Sequence, residues 1–173
     1  MKKTILASLV AGSLAVVSSG VLAEEKKGYS EWALSYEMLT NEAAGDSASA
    51  PVVAIKYRSI GKRWNNFGTE FVLGVPVGEG TAGSAKVKNG YWGGYFAGLY
   101  PVNETFDITG KLGYASVTTT ATVGSVSASE SNAGMAWGFG ASYKLNNKVA
   151  LNLEYNKVHS DVGGIALGAS YRF

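Results

Sequence analysis

From residue 29 onward, apolar and polar side chains alternate with a period of two through eight separate segments. Period two marks a strand with two unlike faces, not a helix. The segments are 29–39, 51–61, 67–75, 90–100, 105–117, 133–145, 149–156 and 164–173. In the first, Trp32, Leu34, Tyr36 and Met38 oppose Glu31, Ala33, Ser35 and Glu37. In the sixth, Trp137, Phe139, Ala141 and Tyr143 oppose Ala136, Gly138, Gly140, Ser142 and Lys144. Only 90–100 leaves its phase open, with Tyr91 and Tyr95 on one face and Trp92, Phe96 and Tyr100 on the other. Segments of about ten residues match a tilted strand crossing a bilayer. The connections leave no room for crossover helices, so the sheet reads as an antiparallel meander.

Charge selects the solvent. Ten charged residues fall within the segments: Glu31, Glu37, Lys56, Arg58, Glu70, Asp107, Lys111, Lys144, Glu154 and Arg172. All ten share the face opposite the aromatic and aliphatic one. Lys157 is the first exception, at a strand end where its stem can reach water. A soluble barrel would alternate in the same way with its faces reversed. Two features favour the apolar face outward. That face is heavy in Tyr, Trp and Phe near strand ends, as interfacial girdles require. The charged face is rich in Gly, Ala and Ser, which suits a narrow lumen. The expectation is therefore an all-β, eight-stranded antiparallel up-and-down transmembrane β-barrel with an apolar exterior and a polar interior. Trp32, Leu34, Phe71, Trp137, Phe139, Leu153 and Leu167 would face lipid. The ten charges would form a lumen network, since buried charges need partners.

Residues 1–23 read as a cleaved signal peptide, which adds a third reason for that inversion. Lys2 and Lys3 precede the apolar run 5–17, and Val21-Leu22-Ala23 is a small-residue cleavage site before Glu24. The barrel domain is then 24–173, with 13 basic and 13 acidic residues. That neutrality argues against nucleic acid as a partner. Without cysteine the chain has no disulfide, thiol nucleophile or thiolate metal site. With the amino terminus in the periplasm, connections 40–50, 76–89, 118–132 and the short 159–163 face outward. Those at 62–66, 101–104 and 146–148 are short turns. Long loops on one side and tight turns on the other is the outer-membrane arrangement. For the Thr/Ser/Ala/Val tract 116–131, two readings stay open: a flexible loop, or two strands extended beyond the membrane and turning near Gly124.

The chain resembles the small eight-stranded outer-membrane β-barrels, the superfamily of outer-membrane protein A transmembrane domains, outer-membrane protein X and the opacity proteins. The resemblance rests on the last strand, from Ile165 to Tyr171-Arg172-Phe173, and on Gly98-Leu99-Tyr100-Pro101 through Lys111-Leu112-Gly113-Tyr114. It implies a cell outer membrane of Gram-negative type, and contact with its lipids and lipopolysaccharide. It also implies insertion by the barrel-assembly machinery, with Tyr171 and Phe173 as the assembly signal. It names no activity, because fold does not imply function.

Three functions are open to such a barrel. The first is a non-enzymatic structural or surface-interaction role, with a surface ligand held by the long loops. The second is a narrow porin-like solute channel, although eight strands enclose a space that side chains can fill. The third is lipid A modification. Lipid A deacylases of this fold use His and Ser two residues apart with an acid, whereas His159 and Ser160 are adjacent, so on a strand they point to opposite faces. One His and no Cys offers poor metal ligation, and no cofactor is expected. Lys86 and Lys88 make a small basic spot that can meet lipopolysaccharide phosphate or a host polyanion.

Overall fold

The computed structural model describes residues 28–43, 46–61 and 66–173. The expected signal peptide at 1–23, and residues 62–65 of the first short turn, lie outside the described residues. The elements are β1 (Tyr29–Ala43), β2 (Asp46–Ile60), β3 (Phe67–Pro76), β4 (Gly80–Ala82), β5 (Ala85–Pro101), β6 (Phe106–Val123), β7 (Val126–Lys144), β8 (Val149–His159) and β9 (Val162–Arg172). Eight long strands pair antiparallel with their chain neighbours. β1 pairs with β9, from Glu31↔Arg172 to Asn41↔Val162, and the sheet closes on itself. β4 is a three-residue addition that pairs with the start of β5. Among the described residues no helix is long and apolar enough to cross a membrane. The strands carry the apolar surface instead.

The pleat sorts side chains as the alternation requires. Leu167 is 64% exposed on the outside, while Glu37 and Asp107, on the inward parity, are fully buried. The phase of 90–100 resolves with Tyr91, Gly93, Tyr95 and Ala97 inward and Trp92, Phe96 and Tyr100 outward.

The long connections of the sequence reading are largely strand. β1 and β2 stay paired to Ala43↔Asp46. The stretch 76–89 contains β4 and the start of β5. The tract 118–132 is the paired ends of β6 and β7, turning at Gly124-Ser125. Hydroxyl pairs explain the extension. Thr118–Ser131 and Thr120–Ser129 meet at 2.8 Å and Thr122–Ser127 at 2.9 Å, the cross-strand contacts that hold a sheet with no core beneath it. Gly124 sits at φ +61, which a hairpin turn of this kind needs and only glycine adopts without strain. At the other end, Asn103 Oδ1 accepts from Thr105 N, and Asn146 Oδ1 from Lys148 N and Val149 N, closing the short turns.

Candidate functional site

The closed wall leaves one interior, and the ionisable residues occupy its middle. Glu154 on β8 meets Lys56 Nζ and Lys111 Nζ at 2.9 Å each, and Arg58 at 3.3 Å. Arg58 also binds Glu31 at 3.0 Å and forks onto Glu70 through both Nε and Nη2. Lys111 reaches Glu70 at 2.6 Å, and Lys56 reaches Glu37 at 2.9 Å. Tyr91 donates to Glu37 at 2.6 Å and Ser35 donates to it at 2.9 Å. Seven of the ten expected charges therefore form one connected array. Arg172 joins it through Glu31 at 3.5 Å. Asp107 and Lys144 pair separately at 2.8 Å.

Small residues make room for this array. A Cβ on Gly140 would strike Glu154, one on Gly138 would strike Lys111 and Asn156, and one on Gly74 would strike the Tyr91 ring. A void of about 10 Å³ beside Lys56 and Glu154 has space for roughly one water. Each charge is buried with partners of opposite sign, which is what makes its burial tolerable.

Above the array lies a second layer that the sequence reading did not separate. Leu39, Val52, Val72, Tyr91, Val117, Val158 and Val162 belong to one buried apolar cluster. On each of their strands that also carries an ionised residue of the array, the apolar position is nearer the long-hairpin end: Leu39 beyond Glu37, Val52 beyond Lys56, Val72 beyond Glu70, Val117 beyond Lys111, and Val158 beyond Glu154. A register shift between Lys157 and His159 falls at Val158, which keeps the inward parity of Glu154 and Asn156. Asn89, fully buried, caps the layer by accepting from Asn41 at 3.0 Å and from Thr119 at 3.1 Å.

At this end β5, β6 and β7 rise past the rest of the wall. Pairing of β7 with β8 begins only at Trp137↔Lys157, so among the described residues Val126–Ala136 pairs with β6 on one side and has no ladder partner on the other, the His159 ring lying beside Gly134. Lys86 and Lys88 lie on the outer face of this sheet and both bind Glu79, at 3.2 and 3.1 Å. Those contacts hold the Glu79 carboxyl below its ordinary range, Lys88 most strongly.

His159 ends β8 at the last turn. Ser160 Oγ lies 3.2 Å from its Nδ1, and Asp161 Oδ2 lies 3.9 Å from the same nitrogen. The turn lets the neighbouring hydroxyl reach the ring, which a strand would forbid.

Of the residues expected to face lipid, Trp32, Leu34, Phe71, Phe139, Leu153 and Leu167 are exposed on the exterior. Trp137 is half-buried there, stacked on Phe139 and tilted against Tyr155. Tyr171 is exterior and opposite Trp32, while Phe173 N donates to Ser30 O at 2.9 Å. Among the described residues no cluster of His or carboxylates is arranged to hold a metal ion.

A family model described as the outer membrane protein beta-barrel domain matches residues 7–173. A search of curated proteins finds no significant match. Among solved structures the chain is similar to Ail, the attachment invasion locus protein of Yersinia pestis, in complex with the heparin analogue sucrose octasulfate. That likeness has 19% identity and a TM-score of 0.62, and covers 86% of this chain and all of that one. It is similar to the N-terminal β-barrel domain of Pseudomonas aeruginosa OprF, with 10% identity, a TM-score of 0.60 and 85% and 98% coverage. It is also similar to Neisserial surface protein A, with 15% identity, a TM-score of 0.56 and 84% and 95% coverage. At these identities the likeness is one of fold.

Proposed function

The chain belongs to the outer membrane protein beta-barrel domain family, and from that premise we propose that it is a sealed, non-enzymatic barrel acting at the cell surface through its protruding hairpins. Residues 1–23 direct its export, and the long-hairpin end faces outward. The observation that carries the reading is the doubly filled lumen beneath an extended β5–β6–β7 sheet. A solute would have to cross a layer of buried Leu and Val and then a layer of paired charges. That opposes the channel reading. Function then falls to the surface that a rigid scaffold displays.

Two narrower readings fare less well. A nucleophilic relay needs Ser and acid on different imidazole nitrogens, whereas Ser160 and Asp161 both approach Nδ1 of His159. Capture of a polyanion, as with the heparin analogue on Ail, would need free cations. Here Lys86 and Lys88 share Glu79, and Glu42, Glu130 and Asp161 leave the long-hairpin end acidic.

The test uses refolded protein and expressing cells together. Planar bilayers should show no steady conductance; steps altered by Arg58→Ala would establish the channel instead. Lipid A mass should stay unchanged on expression, and a mass shift abolished by His159→Ala would reverse the non-enzymatic assignment. A variant with 120–129 replaced by Asn-Gly should still fold yet adhere less, to surfaces or between cells. Unchanged adherence would remove the surface role.

A further inference from the structure

We propose that the free edge of β7 pairs antiparallel with the β7 edge of a second copy of this chain in a facing membrane. This rests on the surface-interaction reading and names the partner. An unpaired edge is a template for another strand, and natural sheets guard such edges with lysines, prolines, bulges or short length. Here Val126–Ala136 runs eleven residues with no proline and a single charge, Glu130. Every second residue aims its backbone N–H and C=O at the open side.

The side chains indicate what fits. On the outer face, Ser127, Ser129 and Ser131 already pair with Thr122, Thr120 and Thr118 at 2.8–2.9 Å. A hydroxyl donates once and accepts twice, so each row can continue into a further hydroxyl. A partner must then carry small hydroxyl residues at alternate positions, and β7 itself does. Centred on Ser129, the self-pairing sets Ser127 against Ser131, Ala128 against Glu130 and Val126 against Asn132. No like charges stand directly opposite, the two Glu130 side chains being diagonal, and no bulky pair collides. Antiparallel strands from two upright barrels point at each other, so the copies belong to opposed membranes rather than the same one.

The experiment uses the full barrel refolded into phosphatidylcholine liposomes, with light scattering as the readout and unfolding on heating as the check of fold. Wild-type proteoliposomes should cluster, while populations carrying Ser129→Lys or Ser129→Glu alone should stay as dispersed as empty liposomes. Mixing those two populations should restore clustering, because unlike charges then face each other across the pairing axis. A Ser129→Pro population should cluster with neither, since it has lost a backbone donor. Dispersed wild-type liposomes, clustering that survives Ser129→Lys, or no rescue on mixing would each overturn self-pairing. Adherence that still falls when 120–129 is shortened would then leave the broader surface role standing with a different partner.

Discussion

Glu154 and Leu39 face the same enclosed space from neighbouring parts of one wall, yet they fill it by opposite means. Around Glu154 the space is filled by ions, three cations converging on one carboxylate. Around Leu39 it is filled by aliphatic side chains in van der Waals contact. The difference lies in how each layer fails. Removing one ion strands its partners in a buried site, so the loss is abrupt. Removing part of an aliphatic side chain costs area and leaves a cavity, so the loss scales with what is taken away.

The largest expected effect tests the ionic layer. Glu154→Ala should lower stability by about 3–5 kcal/mol, the cost of leaving buried cations uncompensated, read as a shift in urea unfolding followed by tryptophan fluorescence. Leu39→Ala should cost about 2–5 kcal/mol, with Val158→Ala smaller in the same assay. If Glu154→Ala cost less than Val158→Ala, the contrast between the layers would break. Leu153 adjoins Glu154 in sequence but points outward, and Leu153→Arg should cost about 2–4 kcal/mol as a cation placed against lipid. A neutral result there would mean the two faces are not as different as their solvents require. The smaller effects belong to the hairpin end. Gly124→Ala forces a Cβ into the left-handed region at about 1–2 kcal/mol. That cost should surface as faster proteolysis of the β6–β7 tip before any change in the global midpoint. Glu79→Gln, between two exposed lysines, should leave the unfolding midpoint where it was.

Much of this was legible in the residues, because parity along a strand is a strict rule. The placement of Glu31, Lys56 or Leu167 follows from alternation alone. Tyr91 and Tyr95 defied it for a physical reason. A tyrosine is apolar enough for lipid and polar enough for a lumen, and only the Glu37 carboxylate and the Lys111 ammonium near them decide. The same ambiguity hid the upper layer. Leu39, Val52 and Val158 sit at inward parity, and only barrel closure shows that they meet one another. Which acid meets which base was out of reach. Lys56 and Glu154 are 98 positions apart, and their contact depends on the stagger accumulated around the ring. The extension of β6 and β7 was half visible, since Thr and Ser suit both a loop and an exposed ladder until pairing is known.

Ser30 and Phe173 exchange main-chain hydrogen bonds at the seam between β1 and β9. The seam therefore joins the first of the described strands to the last of them. Until β9 docks, β1 has one flank bare, and local hairpin formation cannot cover it. A chain ending before β9 would lack the strand that closes onto β1. Shielding that waiting flank during transit is work the polypeptide cannot do for itself.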